Sequence, residues 1–205
     1  FIVIGGDHSS AIGTWNGAAK WLENKPLGLI WIDAHLDSHT SSTSISKNIH
    51  GMPAAALLGF GDPKIAKLFK DHPTILPENL KMIGMTDYEK AEIDLLTKLK
   101  VEVTNLNQIK SNNAYDLILN HAKKLSTSTD AFGISLDIDA FSPEEAPGVT
   151  TFAKHGLDIN STIQALKKIT KMPNFIGLEI AEFTPCNDIN NKTALLIEKI
   201  LKNIF

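Results

Sequence analysis

The chain is expected to fold as an α/β protein, a doubly wound parallel sheet with helices on both faces in three layers. Three observations predict this. Short apolar runs alternate along the chain with stretches of helical periodicity, the pattern of strand–helix–strand units. The runs at residues 1–4, 29–32 and 132–136 show no polar alternation, as strands buried on both faces do. Each of the three leads directly into a cluster of Asp and His, and the carboxyl edge of an open parallel sheet is where ligands bind.

Phe1 to Ile4 is the first strand, and its lack of alternation predicts burial on both faces. Residues 10–22 keep helical spacing until Asn24 and Pro26 end it. Residues 27–32 form the next strand, and a loop rich in Ser and Thr runs from 34 to 52. Residues 53–58 and 63–69 read as helical, 80–85 as a strand and 89–99 as an amphipathic helix. A short strand is expected at 100–103, a helix at 113–125 and a strand at 132–137. A second long loop then reaches Gly156. Leu157 opens a helix to Thr170, 175–180 is the last strand and 192–203 the last helix. With no internal repeat or low-complexity linker, one catalytic domain over residues 1–205 is expected. Compact domains rarely keep long loops without a functional reason, and both loops here follow an acidic cluster.

Composition narrows the function classes. The 205 residues are 43% hydrophobic and 21% charged, ordinary for a globular enzyme. A net charge of −3 points away from nucleic acid and from anionic membranes. Cys186 is the only cysteine, so no intrachain disulfide forms, and a reducing, cytoplasmic setting is expected. No apolar run approaches the ~20 residues of a membrane span. The chain opens inside a strand pattern, with no initiator Met and no basic leader, so a further segment is expected upstream.

Asp33, His35 and Asp37 alternate with Ala34 and Leu36. In an extended segment alternate side chains share a face, so three ligand groups would grip one cation. A solvated loop, or Asp33 as a helix cap, would leave that regularity unexplained. Asp137 and Asp139 repeat the spacing, and two adjacent carboxylates repel unless a cation or proton separates them. Gly5 and Gly6 mark a tight turn before Asp7 and His8, and Asn48-Ile49-His50-Gly51 lies in the first long loop. Oxygen and imidazole groups converging on one edge suggest a site for two divalent ions. Trp15, Trp21 and Trp31 read as core aromatics, His72 and His121 as surface residues, and Glu144 and Glu145 as solvated loop charges. His155 is expected beside the pocket.

Together these motifs are more specific. Gly-Gly-Asp-His-Ser, Asp-Ala-His-x-Asp, Asn-x-His-Gly, Ser-x-Asp-x-Asp and a late Glu-Phe-x-Pro occur here in the order found in the ureohydrolases, the arginases, agmatinases and their relatives. The resemblance runs from residue 1 to the end. It implies an arginase-like sheet, begun in the family by strand–helix units absent here, and a small guanidino substrate with two Mn²⁺ ions activating a bridging hydroxide. It implies His8, Asp33, Asp37 and Asp137 as ligands of one ion, and Asp33, His35, Asp137 and Asp139 as ligands of the other. Two His and four Asp suit Mn²⁺ better than a thiolate-seeking metal.

The resemblance also implies roles beyond the ligands. Glu182 would pair with the guanidinium and His50 would shuttle a proton to the leaving amine, so these two and the ligand Asp37 form the expected catalytic group. Thr151 would support substrate binding, although Phe152 stands where the family usually has Pro. His39, in Asp-Ser-His-Thr, replaces the Asn of many arginases and would meet the substrate carboxylate with Ser46. Glu89 replaces a more usual Asp; it is either a contact for the substrate amino end or a charge favoured at a helix N-terminus. The expected reaction is hydrolysis of L-arginine to ornithine and urea by a homo-oligomer that binds neither nucleic acid nor membrane. Agmatine or guanidinobutyrate hydrolysis, formimidoylglutamate hydrolysis, and a metal-stabilised scaffold without activity remain open.

Overall fold

The structure, a computed structural model, describes residues 1–23, 25–62, 73–109 and 114–204. Its strands are β1 (Ile2–Ile4), β2 (Leu27–Ile32), β3 (Leu80–Met85), β4 (Glu102–Asn105), β5 (Ala131–Asp137) and β6 (Phe175–Ala181). Its helices are α1 (Ser10–Trp21), α2 (Pro53–Leu57), α3 (Lys90–Leu99), α4 (Ala114–Ser128), α5 (Ile159–Ile169) and α6 (Lys192–Ile204). The strands form one sheet in the order β1-β6-β5-β2-β3-β4, and every neighbouring pair is parallel.

Connectivity follows from the hand of the crossovers. From β2 the chain steps outward through β3 to β4, whereas β5 and β6 lie on the other side of β2. Right-handed crossovers that reverse direction must change face. One core accordingly sets Trp15, Ala18, Leu57 and Leu96 from α1, α2 and α3 against Leu29, Trp31 and Met82. The other sets Ile118, Leu125, Ile163, Leu166 and Ile200 from α4, α5 and α6 against Ile32, Ile134, Leu136 and Ile180. The expected doubly wound, three-layer sheet is the one observed. Its direction reverses between β2 and β5, the crevice where such sheets take ligands.

Individual elements show why. Strand β2 is buried at all six positions and β5 at all seven, because both lie inside the sheet with helices above and below. Trp15 lies over Gly133 of β5, where a Cβ would overlap the indole. Replacing this fully buried ring by Ala would cost ~3–5 kcal/mol. Helix α3 begins with a reciprocal cap, Glu89 and Glu92 each accepting from the other's end of the first turn.

Several sequence expectations are corrected. The short strand near residue 100 begins at Glu102, because Lys100 caps α3 in the left-handed conformation at φ 60°. Helix α4 runs on to Ser128, past the expected end at 125, and the helix after Leu157 starts at Ile159 behind the Asp158 cap. The helix expected at 63–69, His72 and the helix start at Asn113 lie outside the described residues. Strand β1 is not buried on both faces: it is an edge strand with Ile2 and Ile4 exposed. Trp21 ends α1 in solvent, whereas Trp15 and Trp31 are fully buried. Conversely, His121 is buried, on the inward stripe of α4 with Ile118, Ala122 and Leu125. His155 is exposed. No helix among the described residues is long and apolar enough to cross a membrane.

Candidate metal centre

The carboxyl ends of β2 and β5 carry the same local device. After β2, Asp33 Oδ1 accepts from the His35 backbone N–H at 2.7 Å. After β5, Asp137 Oδ1 accepts from the Asp139 N–H at 2.8 Å. Each strand thus ends in a side-chain-closed turn rather than in the extended segment that the alternation suggested. The turn swings residue i+2 back beside residue i, which brings the predicted groups together by a different geometry. Asp37 completes the first motif in the left-handed region at φ 46°. Gly84 of β3, at φ 102°, lets the neighbouring strand pass Asp33, since a Cβ there would stand 2.9 Å from the Asp33 carbonyl oxygen.

His8 arrives from the turn between β1 and α1. Its Nδ1 lies 3.1 Å from Oδ2 of Asp33, of Asp37 and of Asp137. The ring is 1% exposed and stacks on Trp31 at 4.1 Å between centroids. Trp31 Nε1 in turn donates to Asp33 Oδ2 at 2.9 Å. His35 Nδ1 stands 3.0 Å from Asp139 Oδ2 and 3.5 Å from Asp33 Oδ1. Two ligand groups result: His8, Asp33, Asp37 and Asp137, and Asp33, His35 and Asp139. Asp33 is common to both, while Asp137 falls in the first.

Four buried carboxylates cannot share this volume without compensation. Burial opposes a proton on His8, but the close approach of Asp137, Asp33 and Asp37 overrides it and holds the ring well above its usual range. Burial likewise opposes a proton on His35, yet Asp139 and Asp33 raise it to about 12. Burial and then the Asp33 charge push Asp37 up to about 7. Burial, Asp139 and Asp33 push Asp137 well above the carboxylate range, and burial with Asp33 raises Asp139. Asp33 goes the other way: burial works against its charge, but His35 and His8 hold it well below the usual value. The cluster therefore retains positive charge, as protons or as cations. His8 Nδ1, buried and without a hydrogen-bond partner of proper geometry, is the atom that a cation would satisfy. Oxygen and imidazole donors without thiolate fit a hard divalent ion such as Mn²⁺.

A cavity of about 140 Å³ opens over this cluster, with His35, Asp37, Asp137 and Asp139 in its wall. Glu182 and His50 face the same space. Glu182 follows β6 at φ 63°, a conformation that non-glycine residues hold only where the surroundings enforce it. The enforcement is visible: Glu182 Oε1 accepts from the His8 N–H at 2.8 Å and lies 3.2 Å from His50 Nδ1, while Oε2 accepts from Thr150 Oγ1 at 3.2 Å. His39 and Thr151 also line the cavity. His39 is held by Thr43 Oγ1 at 3.1 Å and lies 3.4 Å from Glu92 Oε2 and 3.8 Å from Glu89 Oε2.

Two predicted substrate residues do not line this cavity. Glu89 caps α3 with its side chain half exposed, and Ser46 lies on an exposed loop, where its Oγ accepts from the Asn48 N–H at 3.2 Å. Glu92, which the sequence reading passed over, does line it and is buried. Its position three residues after Glu89 marked a capping box, and nothing in the sequence said that the box faces the cavity. Thr150 and Trp31 were missed as partners of Glu182 and Asp33 for the same reason.

The family described as "Arginase family" matches residues 1–205. The arginase of Bacillus caldovelox is 35% identical over 204 residues, which is all of this chain and 68% of that protein. The structure of that enzyme at pH 5.6 superposes with a TM-score of 0.93 over the whole chain and 68% of its own length. The structure of Entamoeba histolytica arginase in complex with L-ornithine, 27% identical, gives a TM-score of 0.91 over 99% of this chain and 68% of that one.

Proposed function

The chain belongs to the arginase family of ureohydrolases, and we propose that its substrate is L-arginine, hydrolysed to L-ornithine and urea at a centre of two Mn²⁺ ions. One observation carries the proposal: two ligand groups sharing Asp33 open into the same cavity as Glu182 and His50. His8, Asp33, Asp37 and Asp137 would hold one ion, and Asp33, His35 and Asp139 the other; Asp137, whose Oδ1 accepts from the Asp139 N–H at 2.8 Å, is the further candidate ligand for the second. When bound, such a pair lowers the pKa of a shared water towards neutrality.

The chain's own groups do the rest. A guanidinium is a resonance-stabilised cation and a poor electrophile, so it must be held and turned. Glu182, its carboxylate aimed by the His8 N–H and the Thr150 hydroxyl, pairs with the guanidinium and fixes the direction of its carbon. The four ligand carboxylates offset the charge of the cations, which lets a cationic substrate approach. His50, beside Glu182 and half exposed, moves a proton to the leaving amine. His39, backed by Glu92 and Glu89, and Thr151 face the cavity and meet the polar end of the substrate. That the Entamoeba arginase structure carries L-ornithine supports an amino-acid substrate over a decarboxylated one.

A substrate panel in Mn²⁺ tests the assignment. L-Arginine, agmatine, guanidinobutyrate and formimidoylglutamate are compared by kcat/KM, scoring urea and formamide. L-Arginine should lead, because a site built to hydrogen-bond a group rejects analogues that lack it. Preference for agmatine would move the assignment to that substrate and leave the metal chemistry in place.

A further inference from the structure

Beneath the cation cluster lies a second polar layer, remote from the cavity. Glu179 of β6 is fully buried. Its Oε1 accepts from Ser10 Oγ at 2.8 Å and Thr14 Oγ1 at 3.0 Å, both on α1. Its Oε2 accepts from Trp15 Nε1 at 3.0 Å and Ser135 Oγ at 2.9 Å. Ser135 sits opposite Glu179 in the β5–β6 register, and its Oγ lies 2.9 Å from His8 Nε2.

The direction of these bonds follows from proton counting. An indole N–H can only donate, so Glu179 Oε2 is an acceptor. A hydroxyl has a single proton. If Ser135 gives its own to Glu179, its oxygen can only accept from His8, and the His8 proton must be on Nε2. In the neutral ring that a cation requires, the Nδ1 lone pair then faces Asp33, Asp37 and Asp137. Trp31 stacking fixes the plane of the ring but not its rotation within that plane. The Ser135 bond fixes the rotation.

We propose that Glu179, acting through Ser135, is the positioning residue that sets the His8 tautomer and aims Nδ1 as a cation ligand. The inference rests on the cation reading of the cluster. It makes an asymmetric prediction for two variants at one position. In Glu179→Gln the Trp15 N–H keeps the amide oxygen on its own side, where it still accepts from Ser135. The amide NH₂ then faces Ser10 and Thr14, whose hydroxyls can turn to accept. The direction of the relay survives although the charge is gone. In Glu179→Leu no acceptor remains, and the Ser135 proton is free to turn towards His8. In Ser135→Ala the His8 Nε2–H has no partner.

The test is Mn²⁺ titration of the full chain by calorimetry, with thermal unfolding of each chelator-treated variant as a check on folding. Losing such an outer partner lowers metal affinity ~10–100-fold. Ser135→Ala and Glu179→Leu should each weaken one Mn²⁺-binding step by that factor, while Glu179→Gln stays near the parent. Nitrogen NMR of the Zn²⁺-loaded parent should show the His8 proton on Nε2. Parent affinity in Ser135→Ala, equal loss in Glu179→Gln and Glu179→Leu, or a His8 proton on Nδ1 would each overturn the proposal. Ser135→Ala removes one hydroxyl and keeps the test valid should Glu179→Leu not fold. A parent chain that bound no Mn²⁺ would instead sink the cation reading itself, and this inference with it.

Discussion

At the carboxyl ends of β2 and β5, Asp33, Asp137 and Asp139 are 0%, 2% and 3% exposed; at the other extreme of the sheet, Phe1, Ile2 and Ile4 of the β1 edge are 53%, 43% and 56% exposed. Average proteins do the reverse, burying Ile and Phe and exposing Asp. The apolar edge continues into a groove of about 500 Å³ lined by Phe1, Val3, Trp21 and Ile176. It is the larger cavity of the two, yet none of its lining side chains is titratable. The difference teaches how to read an inverted residue. Buried charge is energetically tenable only with a specific compensating partner, and here six clustered Asp and His side chains mark the place for one. Exposed apolar surface is tolerated with any contact or with none, and it encodes adhesion rather than chemistry. The two regions should therefore fail independently.

The largest effect is expected at the charged region. Asp137→Ala removes a bridging candidate, so Mn²⁺ occupancy and urea release should both vanish, the latter by at least ~10³-fold if several kcal/mol of metal catalysis are lost. Full metal content in the purified variant would break the assignment.

A smaller loss is expected one step from the metals. His50→Ala and Glu182→Gln should keep both ions by elemental analysis and lose turnover, ~10²–10⁴-fold for the proton-shuttle residue. A variant that turned over substrate at the parent rate would acquit its residue of the role.

The protonation of the cluster gives a pH test. Asp37 has its folded pKa raised to about 7 from 3.8, so between those values the folded chain binds this proton more tightly than the unfolded chain. Stability of the metal-free chain from this group therefore falls as pH rises through that window. His35, raised to about 12, acts with the same sign: its contribution is complete below its ordinary value of 6.5 and is lost as pH climbs. Asp33, lowered, acts oppositely, but only at strongly acid pH. Chelator-treated protein should thus melt lower at about pH 8.5 than at about pH 6, whereas Mn²⁺, which displaces those protons, should bind more tightly at the higher pH. Melting scans and calorimetry at both values check the opposite slopes; parallel slopes would mean that protons and Mn²⁺ do not share the cluster.

The smallest effect on chemistry is expected at the edge. A lysine on an exposed edge strand discourages pairing with another chain. Ile2→Lys should lower self-association in analytical ultracentrifugation and leave Mn²⁺ affinity within about twofold, the range of an ordinary surface change. A marked change in metal binding would show that the two regions are coupled after all.

Much of this was legible from residues alone. Period and composition gave the alternating elements, because strands buried on both faces must be apolar throughout, as β2 and β5 are. The ligand types were legible too, since Asp and His at fixed spacing after such runs have few structural uses. Burial was the part that misled. Phe1 to Ile4 read as interior and lies at an edge; Trp21 read as core and is exposed; His121 read as surface and is buried. A side chain's own character states its preference, but exposure depends on which element packs against it, and that is set by residues far along the chain.

The sequence by itself thus determined the α/β class and the family, and it singled out the six candidate donor residues, since each rests on local pattern and residue chemistry. The tertiary structure alone decided three things. It placed the reversal of the sheet between β2 and β5, so that Asp33 and Asp137, 104 positions apart in the sequence, reach the same His8 nitrogen. It closed each motif with a side-chain turn instead of an extended face. It also joined Glu179, Ser135 and His8 into one directed relay across α1, β5 and β6. Contacts of that range depend on packing between distant segments, and no window of sequence contains both partners.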